Sequence, residues 1–308
     1  MSIVCNLDDL PDDIKNPVVT IGNFDGVHQG HQTIFKKVIN RAHEIEGTPG
    51  VITFEPHPVK IMAPDKARPL ITPLEQKREL ILNQGIGLFI IINFSLEFST
   101  VSATDFVKDI LLDRLGAKEI VVGYDYVFGR NREGDIDLLK KMGKHFDFAV
   151  HQIGPVCVGT TLVSSTSIRD LVANGDITEA KRLLGRNYQI RGKVVKGRNR
   201  GGSLLGYPTA NLMLSDELIP KKGVYVVTVD IEGKTYQGLT NIGYNPTFNN
   251  EQLSVETYIF DFSKNILGND IRLNFLFRLR DEITFPGIEE LSGQIGQDVK
   301  NAREFFQD

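Results

Sequence analysis

The chain has 308 residues, 41% hydrophobic and 24% charged, with a formal net charge of -4. That length suits two ordinary globular domains, and the small negative balance gives no global pull toward nucleic acid or an anionic membrane. No apolar run approaches the roughly 18 residues of a membrane span, and the acidic start MSIVCNLDDLPDD lacks the basic-then-apolar pattern of a secretory signal.

Cys5 and Cys157 are the two cysteines, far apart and without CxxC spacing. Neither a disulfide framework nor a thiolate zinc site is expected, and a reducing cytoplasm is. Short apolar runs at Val18–Ile21, Val51–Phe54, Leu88–Phe94 and Ile120–Val122 read as strands. Helical patterns fall between and after them at Thr33–Glu46, Leu74–Gln84, Thr104–Leu115 and Asp137–Lys144. This alternation implies βαβ units on a parallel sheet, whose ligands gather beyond the carboxyl ends of the strands. SSTSIRDLVANGDITEAKRLLGR then reads as a cap, a helix, a break at Gly175–Asp176 and a second helix ending at Gly185. Beyond it the pattern becomes β-rich: Tyr188–Val195, Gly223–Ile231, Thr235–Asn241, Ser254–Asp261 and Ile271–Leu279, the mark of an antiparallel barrel or sandwich. Residues 289–307 are helical in pattern. The boundary falls near Gly185–Asn187, giving domains 1–185 and 186–308.

The densest polar chemistry follows the strand at Val18–Ile21: Gly22, Asn23, Phe24, Asp25, Gly26, Val27, His28, Gln29, Gly30 and His31. The glycines let the backbone approach a bulky anion. The helix that follows offers unpaired N–H groups and a positive dipole end. His28 and His31, three apart, can face one ligand and donate to phosphate oxygens as charge develops. Alone, HxGH is equally compatible with a structural turn bearing two exposed histidines. In SSTSIR, Ser164, Ser165 and Thr166 are good helix caps, and the Arg169 fork can hold a polyphosphate.

GNFDGVHQGH with SSTSIR resembles the HxGH nucleotidyltransferases. Taken with TFEPHP (Thr53–Pro58) and GYDYVFGRNREGD (Gly123–Asp135), the first half resembles the adenylyltransferase half of bacterial bifunctional riboflavin kinase/FAD synthetases. GYPTANL (Gly206–Leu212), GVYVV (Gly223–Val227), NIGYNPTF (Asn241–Phe248) and VETYIFDF (Val255–Phe262) resemble the riboflavin kinase module. The resemblance spans roughly residues 16–305. It implies a Rossmann-like α/β nucleotidyltransferase domain with a parallel sheet, then an antiparallel β-barrel kinase-like domain with a terminal helix.

The implied reactions are riboflavin plus ATP giving FMN and ADP, and FMN plus ATP giving FAD and pyrophosphate. In the first, Glu256 is implied as the base, with Thr209 and Asn211 holding Mg2+ and phosphate beside Gly206 and Pro208. In the second, His28, His31 and Arg169 are the implied catalytic set. Gly22, Asn23, Phe24, Asp25, Gly26, Gly30, Ser164, Ser165 and Thr166 would line the nucleotide. Phe54, Pro56, His57, Pro58, Asp125, Tyr126 and Phe128 would face the flavin, although EPHP also reads as a plain extended loop. The partners are small molecules, with no nucleic acid and no membrane; oligomeric state is left open.

One stretch departs from the family. VKGRNRGGSLLGYPTAN is longer than the usual phosphate loop, Gly202 and Ser203 stand where an arginine is common, and Arg198 and Arg200 offer replacement charge. Ile266–Gly268 reads ILG where the family has LYG. These changes motivate one alternative, an adenylyltransferase with a weakened or silent kinase module. Another is a flavin- or nucleotide-sensing protein without turnover. Against the sensor, all four of His28, His31, Arg169 and Glu256 are present.

Overall fold

The apolar runs of the first half become the middle of a six-stranded parallel sheet. A computed structural model describes residues 3–11, 13–197, 206–213, 217–245 and 252–307. The sheet strands are β1 (Ile3–Asn6), β2 (Val18–Ile21), β3 (Pro49–Glu55), β4 (Leu88–Asn93), β5 (Glu119–Gly123) and β6 (Ala149–Ile153). Their order is β1-β4-β3-β2-β5-β6, parallel at every junction. The helices between them are α1 (Gln29–Glu44), α2 (Pro58–Met62), α3 (Leu74–Leu82), α4 (Ala103–Asp105) and α5 (Ile136–Phe146). The α4 turn runs on as π-type turns through Phe106–Arg114.

Both faces of the sheet are covered, which is why its strands read as continuous apolar runs. On one face Val18, Val51, Phe89 and Val121 meet Phe35, Val38 and Ala42 of α1. On the other, Val19, Ile90, Ile120 and Val122 meet Phe106, Leu111, Leu139 and Met142. The two strands absent from the sequence reading, β1 and β6, are the edges. The first is four residues long; the second carries His151 and Gln152 and is only partly covered, so neither shows a buried apolar run.

The order places a switch point between β2 and β5. From β2 the chain steps through β3 to β4 on one side, and from β5 to β6 on the other. A crevice opens at such a reversal, beyond the carboxyl ends of the strands. The loop after Ile21 and the loop after Gly123 both start there.

A small hairpin, β7 (Cys157–Val158) with β8 (Thr161–Leu162), leads into α6 (Ser165–Asn174) and α7 (Ile177–Leu184). The break between these helices is as read: Gly175 takes a positive φ of 82°, and Asp176 caps α7 by accepting from the Glu179 N–H at 3.1 Å. Gly185, with φ 74°, ends α7 in a left-handed cap.

The rest is a closed antiparallel barrel, not a sandwich, in the order β10-β13-β12-β11-β14-β9. Its strands are β9 (Tyr188–Val195), β10 (Thr209–Leu212), β11 (Gly223–Ile231), β12 (Lys234–Asn245), β13 (Gln252–Ile259) and β14 (Asp270–Arg280), followed by α8 (Ile288–Phe305). Tyr188, Tyr225, Val227, Ile242, Val255, Leu273 and Phe275 are buried and fill the interior. On the outer face Val224, Val226, Leu239 and Phe260 pack against Ala302 of α8. Arg280 pins that helix with hydrogen bonds from Nε and Nη2 to both oxygens of the buried Asp298. Contacts along the chain group Met1–Ser165 into one unit and Thr166–Asp308 into a second, so most of α6 and all of α7 count with the barrel. Accordingly α7 packs on β9 and β14. No helix among the described residues is long and apolar enough to cross a membrane.

Candidate active sites

In the first unit, the turn after β2 is held in a costly backbone conformation. Phe24, Gly26 and Val27 have φ of 47°, 89° and 43°. A β-branched residue at positive φ is a genuine outlier, and such strain persists only where the surroundings over-determine it. Here they do: Phe24 and Val27 are 4% and 1% exposed and belong to the α1-side core. The buried Asp25 carboxylate accepts from the N–H groups of Ile71 (3.1 Å) and Thr72 (2.9 Å). The Gly26 N–H donates to Thr72 Oγ1 at 2.9 Å. Ser165 Oγ, at the start of α6, donates to the Asp25 carbonyl at 2.8 Å. Asp25 thus shapes the turn from below. Thr72 and Lys77 were not anticipated from the sequence. Lys77 is 2% exposed; desolvation holds its ammonium below the usual lysine range, and Asp25 and Glu55 oppose that shift.

The turn delivers two imidazoles to the start of α1. His28 is the N-cap, and its Nδ1 accepts from the His31 N–H at 3.3 Å. A ring that accepts at Nδ1 carries its proton on Nε2, which makes Nε2 a donor. The two rings stack with centroids 3.5 Å apart and 20° between planes. Phe24 sets its ring edge against His31 at 5.2 Å. His28 is 5% exposed, which excludes a turn bearing two exposed histidines. The helix begins at Gln29 and not at Thr33, because the capped turn is polar and hides the apolar period. A Cβ at Gly30 would come within 3.2 Å of the His28 ring, and one at Gly22 within 2.9 Å of the Phe24 ring. Asn23 Oδ1 is buried with no hydrogen-bond partner, an acceptor in want of a donor.

Beyond β3, β4 and β5 the same edge of the sheet is aromatic. Phe54 sits 5.8 Å from Phe94 and 6.1 Å from Phe98. The series continues through Phe106 to Phe128, which stacks on Tyr126 at 5.3 Å and 15°. Burial pushes the Tyr126 phenol up. Phe98 escaped the sequence reading because LEFST resembles no motif, and Phe94 was read only as the end of a strand. EPHP is not an extended loop: Pro58 opens α2, and His57 caps it by accepting from the Val59 N–H at 3.3 Å. Asp125 is exposed in the loop after β5. Ser164 stands at the cap position of α6, Thr166 in its first turn, and the half-buried Arg169 one turn after Ser165.

In the second unit the candidate residues lie on strands. Thr209 and Asn211, two apart on β10, share one face. Asn211 pairs with Glu256 of β13, and Thr209 with Tyr258. The alternate residues on neighbouring strands, Thr240 and Thr257, are fully buried with hydroxyls 2.9 Å apart inside the barrel. Glu256 and Asn211 therefore point outward, on the face that carries α8. Tyr207 sets its ring edge against Tyr258 at 5.3 Å and closes one side. The Asn211 amide lies directly against Gly197, where a Cβ would collide with it. Gly206, with φ 80°, and Pro208 lead into β10. Arg198, Arg200, Gly202 and Ser203 lie outside the described residues, so the longer phosphate loop carries no structural account. The Thr209 hydroxyl and the Asn211 amide oxygen are hard oxygen donors that fit Mg2+ with substrate phosphates. Among the described residues no group of three or more His, Cys, Asp or Glu is placed to hold a metal by itself.

Comparison with known proteins follows the same division. A family model for FAD synthetase matches residues 10–167, and one for riboflavin kinase matches residues 184–306. The bifunctional riboflavin kinase/FMN adenylyltransferase of Buchnera aphidicola is 36% identical over 99% of this chain and 98% of its own. That of Escherichia coli K12 is 35% identical over 94% and 92%. A crystal structure from Streptococcus pneumoniae, described as a macrolide-efflux protein, superposes with a TM-score of 0.88 at 32% identity and covers 98% of each chain. With an FAD synthetase half and a riboflavin kinase half in one polypeptide, the chain belongs to the bifunctional riboflavin kinase/FMN adenylyltransferase family, enzymes of FAD biosynthesis by way of FMN.

Proposed function

We propose that the chain runs both reactions, with residues 1–185 transferring adenylyl groups and residues 186–308 phosphorylating riboflavin. In the first, an FMN phosphate oxygen attacks the α-phosphorus of ATP; the new P–O bond forms as the bond to the β-phosphate bridge breaks and pyrophosphate leaves. Little covalent chemistry falls to the protein, so catalysis is positioning and charge neutralisation. Nε2–H of His28 and the stacked His31 donate to the phosphate oxygens as charge builds. The N-terminus of α1 adds the positive end of its dipole. Asn23 Oδ1 accepts from the nucleotide, which Gly22, Gly30 and the Phe24–Gly26 backbone line. Asp25 acts through the turn it shapes. Ser164, Ser165, Thr166 and Arg169 hold the departing phosphates. The ring series around Phe54, Pro56, His57, Pro58, Tyr126 and Phe128 flanks the isoalloxazine, with Asp125 at its rim.

In the second reaction Glu256 takes the proton of the ribityl 5′-hydroxyl as its oxygen bonds to the γ-phosphorus of ATP and ADP leaves. Thr209 and Asn211 would hold Mg2+ with the phosphates of ATP, led in by Gly206 and Pro208. When bound, the ion lowers the repulsion among phosphate oxygens. The free thiols Cys5 and Cys157 suit a reducing cytoplasm. An efflux role finds no support among the described residues, which contain no membrane-length apolar helix.

The stacked His28–His31 pair at the switch point carries the reading. Incubation with riboflavin, ATP and magnesium, followed by chromatographic separation of the flavins, tests it. FMN appears first and FAD after it. FAD from supplied FMN without FMN from riboflavin would reduce the chain to a lone adenylyltransferase, and no FAD from either would refute the assignment.

A further inference from the structure

The sheet register places a second carboxamide beside Glu256 that the reading above leaves unused. Asn211 of β10 and Asn241 of β12 both pair with Glu256 of β13. Directly opposed residues on antiparallel strands share a face, with Cβ atoms about 4.5–5.5 Å apart. Glu256 is therefore bracketed by two carboxamides. Asn241 lies inside a strand paired on both sides, to Glu256 and to Val224, so the ladder fixes its direction.

The face is the outer one. Leu239, two residues before Asn241, packs in the α8-side cluster with Val224, whereas the intervening Thr240 is buried inside the barrel. Asn241 itself is exposed and Glu256 half-buried. Asparagine is a poor strand former, so packing does not account for it here. Two residues further along the same face, Gly243 leaves room for the Glu282 side chain, and a Cβ there would also lie 3.4 Å from Asn241 Nδ2. The outer face is thus a polar row running Asn211, Glu256, Asn241, closed at one end by Glu282.

We propose that Asn241 is a positioning residue of the kinase site. Its Nδ2–H group donates to the Glu256 carboxylate and orients it toward the acceptor hydroxyl, and its Oδ1 faces the polyol chain of the phosphate acceptor. The proposal rests on Glu256 being the base. Asn211 serves the phosphate side of Glu256 and Asn241 the acceptor side.

The test is the split between kcat and riboflavin KM for FMN formation in N241A and N241Q, with E256Q as reference. N241Q keeps a carboxamide on the strand and holds kcat within about threefold of wild type. N241A loses about tenfold in kcat with a smaller change in riboflavin KM. Both variants form FAD from supplied FMN at the wild-type rate, and their barrels unfold thermally within a few degrees of wild type, which certifies folding of the half under assay. An N241A kcat within twofold of wild type, or an N241Q kcat as low as that of N241A, overturns the proposal while E256Q stays silent. Full kinase turnover in E256Q removes the base assignment and this inference together.

Discussion

The two halves of the chain build their sites in opposite ways. In the first unit, most of the polar and aromatic motifs gather at or just beyond the carboxyl ends of the sheet strands, and the strands themselves are mostly core. In the barrel, the chemistry sits on the strands themselves, on an outer face whose alternate residues fill the interior. Loop sites depend on backbone conformation, as at Phe24, Gly26 and Val27. Strand sites depend on register, as between Asn211 and Glu256. A substitution in one should leave the other untouched, and the variants below press on that independence.

Glu256→Gln carries the largest effect. Loss of a general base costs about 10²–10⁴ in rate, so FMN formation collapses while FAD formation from supplied FMN continues at the wild-type rate. Assay of each half-reaction by flavin chromatography reads this directly; retained kinase turnover removes the base assignment. His28→Ala mirrors it. Loss of one donor to a developing phosphate charge costs about 10²–10³ in FAD formation, with FMN formation within twofold of wild type. Equal loss of both would mean that the two sites are not separate.

Smaller effects sharpen the comparison through stability. Asp298→Ala removes the partner of Arg280 on β14 and unpins α8 from the barrel. Breaking a buried pair costs about 3 kcal/mol. Thermal unfolding should show a lowered transition together with a raised riboflavin KM, and FAD formation from FMN at low temperature should persist.

The smallest effect lies in the parallel sheet, at its edge away from the motifs. Glu119 accepts from Arg41 Nε at 2.7 Å and Nη2 at 2.6 Å, and His151 Nε2 lies 2.7 Å from it. The Arg41 guanidinium first, then His151, holds the Glu119 carboxyl below the usual range, against the cost of its burial. A depressed folded value contributes stability that is present above the ordinary carboxylate pKa and is lost as pH falls through the folded one. Glu119→Gln should therefore lower the Tm at pH 7 and flatten its decline on acidification below about pH 4. An unchanged acid limb would assign that decline to other carboxylates.

The sequence was most legible where chemistry and backbone demand coincide. HxGH stood out because glycine, asparagine and histidine crowd the end of an apolar strand, and the structure gathers them at the switch point. The barrel strands were legible from their β-rich runs, with Tyr188–Val195 and Gly223–Ile231 found as read. Four-residue β10 was too short to show a period. Of the edge strands, β1 hid because it is four residues long, and β6 because His151 and Gln152 interrupt its apolar run. Thr72 and Lys77 meet Asp25 only through the fold, across 46 residues or more of chain. Asn241 lay inside a recognised motif, yet its place beside Glu256 is a fact of register that no spacing along the chain reveals.

One mixing measurement addresses the independence of the two sites most directly. His28→Ala and Glu256→Gln chains, each unable to carry riboflavin through to FAD, are combined with riboflavin, ATP and magnesium. FMN made by the first should be released and adenylylated by the second, so FAD accumulates in the mixture and in neither variant alone. A mixture as barren of FAD as its components, from chains that each lost both half-reactions, would contradict two separate sites in one chain.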